Sequence, residues 1–421
     1  MVEALTKTSP RSSYLLAITL CSSLFGYQIL APWFQLISPE GSAPAIIFRV
    51  VVLALCHVCA LAYGRNTERF HLAALPLFLF LALYAIRLGD NFFVREFVWR
   101  AEPITAFSLL IGAAIVPALL LQRVALKIDD RSLVATMVPM AILFLVGLAL
   151  NWDSLLVASQ VYQASLEKLN PIGLGFIASS LTIFFIVAPI KGVFPVIGKY
   201  LLLALLIGVT IFSKSRGPLL ATLFALFAYG LLTSGPRRKQ LTRAFVFIVV
   251  GLGVTPFIVG MDLFILAFER FTTMGVSDSN KIDASSEERV VAWNAAWAQF
   301  ADAPVFGNRV FETALMHYPH NLFLESLISL GVIGTCLLMV HLMICGYMVV
   351  RILRLSDTNL VERFIALIAI KEFVAVQVSG AIWGHTTFWI ASACVIGISA
   401  SRFYRRTAST DFVPAARWAL R

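Results

Sequence analysis

The sequence predicts an all-α protein threaded about twelve times through a membrane, and three observations carry that reading. Of 421 residues, 59% are hydrophobic and 13% charged, against roughly 45–50% and about 25% in soluble domains. Mean hydropathy is +0.87. The apolar residues fall in long runs without alternation, and only helices or closed barrels satisfy their backbone in lipid, so these runs are helices. This composition excludes a soluble enzyme, a disordered chain and a secreted disulfide scaffold. The net charge of +10, from 33 Lys and Arg against 23 Asp and Glu, fits positive loops on the cytoplasmic face first. No nucleic-acid partner is expected.

The runs cover 12–30, 44–63, 71–87, 104–121, 132–150, 171–190, 192–212, 218–234, 244–268, 321–350, 363–381 and 384–401. The first follows Lys7 and Arg11, as a signal peptide would. It is too long, however, and no small-residue cleavage site follows it, so it reads as a retained anchor. Around Pro189–Pro195 one bent segment competes with two spans. An N-terminus in the cytoplasm gives the cytoplasmic segments about twice the Lys and Arg of the other side, with both termini inside. All six cysteines (Cys21, Cys56, Cys59, Cys336, Cys345, Cys394) lie in apolar runs, so neither disulfides nor a metal framework is expected.

The chain thus reads as a single transmembrane domain over 1–421, with a long outside loop at 269–320. A loop of about fifty residues is usually functional. Ser285 and Glu288 fit a capping box, followed at helical spacing by Val290, Trp293, Trp297 and Phe300 up to Pro304. A helix with tryptophan on one face suits the membrane interface.

Three constellations can carry chemistry. In Ser213-Lys214-Ser215-Arg216-Gly217-Pro218, Pro218 suits a first helical turn with Gly217 as a permissive cap, which puts Arg216 where a helix N-terminus favours an anion. Interfacial anchoring is the competing reading. Arg289 lies beside a second helix start, where it can equally pair with Glu287 or Glu288. Two guanidinium forks on one side match a pyrophosphate. The third is His317-Tyr318-Pro319-His320-Asn321, opening a helix that, if straight, is about 45 Å long and projects outside. A histidine at a helix N-terminus is biased toward its neutral form and can act as a general base. Arg87, Asp90, Arg95 and Arg100 form a charged outside segment, and His385 lies near the outside end of the last span. Lys371, Glu372 and Gln377 fall inside a span, where polar groups are expensive. No nucleotide or zinc motif occurs.

The Ser215-Arg216-Gly217 turn, the Arg289…Trp293…Pro304-Val-Phe306-Gly307 stretch and His320-Asn321-Leu-Phe-Leu-Glu325…Gly331…Gly334 occur in an order that resembles the bacterial O-antigen ligase and polymerase superfamily. The resemblance implies a C-type glycosyltransferase architecture on the periplasmic face of the inner membrane. It implies a donor glycan on undecaprenyl pyrophosphate and, in the ligase branch, transfer en bloc to a lipid A–core acceptor. In the polymerase branch the acceptor is another lipid-linked repeat unit. Carried over, Arg216 and Arg289 hold the pyrophosphate and His320 activates the acceptor hydroxyl, without metal or cofactor and with inversion. Lys214, Ser215, Asn321, His317, Arg87, Arg95, Arg100 and His385 are the further candidate substrate contacts. A transporter of lipid-linked glycan is the reading of another class. It predicts repeats and polar groups at mid-membrane, whereas the candidates here cluster at one face.

Overall fold

The computed structural model describes residues 9–38, 43–64, 72–95, 102–161, 169–239, 241–243, 245–246 and 284–410. The described chain is helical and contains no strand. Its helices are α1 (Pro10–Ile37), α2 (Ala43–Gly64), α3 (Leu72–Val94), α4 (Pro103–Leu121) and α5 (Asp130–Leu150). A short α6 (Trp152–Val161) precedes α7 (Pro171–Val187), α8 (Val193–Phe212) and α9 (Arg216–Leu232). Then come α10 (Ala284–Asp302), α11 (Leu322–Arg354), α12 (Leu360–Ala375) and α13 (Thr386–Thr410). Among the described residues, seven helices are long and apolar enough to cross a membrane, and α7 and α9 are shorter apolar helices. The expected span 244–268 lies outside the described residues, apart from 245–246.

Local chemistry explains where the helices start. Pro10, Pro103 and Pro171 open theirs, where a missing N–H is no loss. Ser9, Asp129 and Asn170 accept backbone N–H groups at N-caps. Asn359 and Glu362 form a reciprocal capping box. Between α7 and α8 the chain turns at Gly192, with φ +94, so the segment around Pro189–Pro195 is two helices and not one bent span.

The centre of the bundle is α7, α12 and α13, which are almost continuously buried, in α13 over 387–399. Inside it, Lys371 donates to Phe176 O at 2.9 Å, Ser180 Oγ at 2.7 Å and Glu372 Oε1 at 2.6 Å. Adjacent residues such as 371 and 372 do not share a helix face. The long lysine stem nevertheless folds back onto Glu372, because an unpaired charge there would be costly. The end of α12 also differs from expectation. Helix α12 stops at Ala375 instead of 381, and a loop through Gly380 (φ +74) leads to α13.

The largest departure is in α11, which is not straight. At Gly331 the backbone leaves the helix, with φ 63 and ψ −160, dividing it into a half-helix over 322–330 and a long remainder. Segment 304–309 enters the break and pairs its backbone groups. Val332 N donates to Pro304 O at 2.8 Å and Ile333 N to Val305 O at 3.4 Å, while Asn308 N and Arg309 N donate to Ile328 O at 2.9 and 3.2 Å. Arg87 Nε donates to Ser329 O at 2.9 Å. Val332 N, Ile333 N, Ile328 O and Ser329 O at the break therefore find partners outside the helix, as buried backbone requires.

Candidate active site

The half-helix of α11 fixes the imidazoles. Asn321 is its N-cap, with Oδ1 accepting from Phe323 N and Leu324 N at 3.1 Å each. His320, one residue earlier, adopts φ +54, a left-handed conformation uncommon outside glycine. Its ring stacks on His317 at 5.2 Å and meets Tyr318 edge-on at 4.6 Å. His320 Nδ1 is enclosed and has no hydrogen-bond partner among the described residues. Burial first, then His317 and then Arg289, push the imidazole down to about 4. The helix end was expected to favour the neutral ring; burial is the larger cause.

Arg289 reaches this neighbourhood because of the face α10 presents. Ala292 and Ala296 are buried and Trp293 is partly so. Positions 289, 292, 293 and 296 share one helical stripe. That stripe packs on the half-helix through Ala296, Leu324 and Ile328, and Trp293 Nε1 donates to Pro319 O at 2.8 Å. Trp297, expected beside Trp293, is instead 53% exposed. The described helix begins at Ala284, so Ser285 lies in its first turn and not at the cap.

The turn before α9 is tighter than expected. Ser215, not Gly217, occupies the N-cap, and Arg216 is the first helical residue. Lys214 adopts φ 52 and is buried with Ser213 and Ser215. Ser213 Oγ accepts from Ser215 N at 3.3 Å. Gly175 lets Pro218 and Ser213 approach, since a Cβ there would stand 2.7 and 2.8 Å from them.

The loop between α12 and α13 joins these parts. Val378 lies 3.4 Å from where a Cβ on Gly217 would be. One residue away, Gln377 O accepts from Asn321 Nδ2 at 3.3 Å, and Val376 O accepts from Leu322 N at 3.1 Å. The Arg216 turn and the His320 half-helix therefore rest on the same three residues, Val376, Gln377 and Val378. In this loop the His385 ring packs on Gly380, where a Cβ would stand 2.5 Å from Cε1. Burial chiefly, with a contribution from His320, holds His385 down to about 4.

Other candidates lie differently. Arg87 donates not only to Ser329 O but also to Phe306 O at 3.0 Å, Gly307 O at 3.2 Å and Asp90 Oδ2 at 3.0 Å. Its contacts are with the crossing at Gly331. Arg95 pairs with Asp90 at 3.0 Å. Arg100 lies outside the described residues.

Two carboxylates absent from the candidates organise the site. Glu312 is fully buried, and its oxygens accept from Ala314 N at 2.7 Å, Leu315 N at 3.1 Å and His317 N at 3.4 Å. That shapes the turn presenting His317. Glu325 accepts from Tyr84 Oη at 2.6 Å and, through both oxygens, from Ile382 N at 3.0 Å, tying α3 and the 376–385 loop to the half-helix. An acid within an apolar span was the available signal for Glu325. Glu312 gave no local one.

Residues 201–339, a stretch that holds Arg216, Arg289 and His320, match the family model described as O-antigen ligase. No curated protein matches the chain.

Proposed function

We infer, from the O-antigen ligase domain that the chain carries over residues 201–339, that this multi-pass helical membrane protein transfers a glycan en bloc. The donor in this reading is undecaprenyl pyrophosphate and the acceptor a lipid A–core, met on the periplasmic side of a bacterial inner membrane. Both termini are then cytoplasmic, and residues 269–320 form a periplasmic loop in a C-type glycosyltransferase architecture. One observation carries the assignment of roles: the helix that bears Arg289 packs on the His320 half-helix through Ala296 and ties to Pro319 O through Trp293, beside an imidazole whose Nδ1 is enclosed.

In the proposed step, His320 takes the proton of an acceptor hydroxyl. With Nδ1 enclosed, Nε2 is the nitrogen assigned to it. The acceptor oxygen forms a bond to the anomeric carbon as the bond from that carbon to the pyrophosphate oxygen breaks. The leaving group departs with the electron pair, and attack from the opposite side inverts the carbon. Arg216 and Arg289 balance the charge that develops on the leaving group, where fixed donors act most strongly. The energy is already in the donor, so neither nucleotide nor metal enters the scheme.

Substrate also tunes the base. An imidazole held down to about 4 is neutral at pH 7, ready to accept a proton but weak at doing so. Pyrophosphate beside Arg289 offsets the charge that lowers the ring and adds negative charge of its own. Both effects raise the affinity of His320 for a proton, so the base strengthens once the donor is bound.

The test is reconstitution. Purified protein should move glycan from undecaprenyl pyrophosphate to lipid A–core in EDTA without nucleotide, and His320→Ala should stop turnover while the protein still accumulates folded. Wild-type turnover in that variant would remove the general base. In cells lacking the protein, long unattached glycan on the lipid carrier marks a ligase. Single repeats attached to the core would mark a polymerase and overturn the ligase reading.

A further inference from the structure

Arg49 lies in the second turn of α2, between Phe48 and Val50. Its neighbours Ile46, Ile47, Val50 and Val51 are all at least half exposed on the outer face of the bundle. Arginine near the end of a span commonly extends toward water. Here the side chain turns inward instead, and its guanidinium carbon lies 4.9 Å from the centroid of the Tyr27 ring on α1. Among the described residues no carboxylate pairs with it.

Arg49 and Tyr27 line a cavity of about 340 Å³, within the range of small-ligand sites. Ser22, Gln28 and Asn170 add polar groups, and the lining contains no Asp or Glu. Such a cavity is rich in donors and positive, the reverse of what a cation would need. Two of its walls come from π-helical stretches, Ser22–Gly26 in α1 and Ser108–Ile115 in α4, an irregularity often found at functional sites. Gly112 on the second wall has nothing within 4 Å of a Cβ position, which leaves that side open. Ile111 beside it is 42% exposed. A ligand with a polar anionic head and apolar tails therefore has a place for both parts. Gly384 and Thr386 also line the cavity, so it borders the loop that carries His385.

We propose that this cavity binds the phosphate-bearing headgroup of a membrane lipid, with Arg49 on the phosphate and Tyr27 steadying the guanidinium. None of Arg216, Arg289 and His320 lines this cavity, and the proposal does not rest on the transfer reaction. Arg49 supplies charge without the cost of an unpaired buried ion, because the lipid phosphate completes the pair.

The experiment is lipid retention by the purified full-length protein in detergent, measured by native mass spectrometry with phosphatidylglycerol or diacylglycerol as probe. Phosphatidylglycerol should be retained, diacylglycerol should not, and millimolar inorganic phosphate should fail to displace the lipid. Arg49→Gln should lower retention at least ten-fold. Gly112→Leu, which fills the open wall and leaves the charge intact, should do the same with an unchanged melting midpoint. Equal retention of diacylglycerol, or full retention in both variants, would overturn the proposal. Displacement by phosphate alone would make the site one for a free anion and would overturn the lipid assignment.

Discussion

Gly307 and Gly331 cross backbone to backbone, each at a position that only a residue without a side chain can fill. A Cβ on Gly307 would stand 2.5 Å from Ser329 C, and one on Gly331 would stand 2.4 Å from Val305 C, with φ of +61 and +63. These neighbours are main chain and cannot rotate away. Gly307→Ala and Gly331→Ala should each destabilise the protein by more than the ~1–2 kcal/mol of a left-handed L residue. The readout is a lower melting midpoint in detergent. Gly198→Ala, where nothing lies within 4 Å, should leave it unchanged.

Arg87 holds the same crossing together through the carbonyls of Ser329, Phe306 and Gly307. Arg87→Ala leaves those acceptors without their donor, at about 1–3 kcal/mol for each that stays buried and unpaired. Stability should fall while the KM for acceptor in the surviving protein stays within two-fold. A raised KM at full stability would return Arg87 to the substrate rim.

The pH dependence of activity should report His320. Burial first, then His317 and Arg289, push its ring down to about 4 from the ordinary 6.5. In free enzyme, kcat/KM should hold its plateau down through pH 6 and fall only as the ring gains its proton near 4. Arg289→Gln removes one of the charges that lower it, so the acid limb of kcat/KM should move to higher pH while kcat drops. The same shift bears on stability with a definite sign. Because the folded state resists protonation, the contribution is fully present above 6.5, declines as pH falls, and is lost below about 4. Thermal melting between pH 7 and 4 should show this decline, and His320→Ala should flatten it.

Asn321 separates capping from substrate contact. Its Oδ1 caps the half-helix through Phe323 N and Leu324 N, a role Asp fills equally well. Asn321→Asp keeps the cap but loses the donation to Gln377 O, so it should retain activity with a small loss of stability. Asn321→Ala, which loses both, should cost more than the ~1 kcal/mol of the cap alone. Should Asn321→Asp abolish transfer with no more than that small loss of stability, the side chain acts on substrate through its amide.

The sequence by itself determined the helical membrane class, most helix positions and the order of the three polar motifs. Runs of apolar residues as long as those at 132–150 have one solution in lipid, whatever surrounds them. It also marked Gly307 and Gly331, but as separate features of a pattern, because local spacing carries no information about partners twenty-four residues apart. Tertiary structure decided that these glycines cross, that the crossing breaks α11, and that Arg87 serves the break. It also decided that the loop at 376–380 brings the Arg216 turn beside the His320 half-helix. The physical reason is that hydrophobic patterning places elements in the membrane without ranking their neighbours. Which polar groups meet is settled by the backbone donors and acceptors that each break, turn and loop must still satisfy.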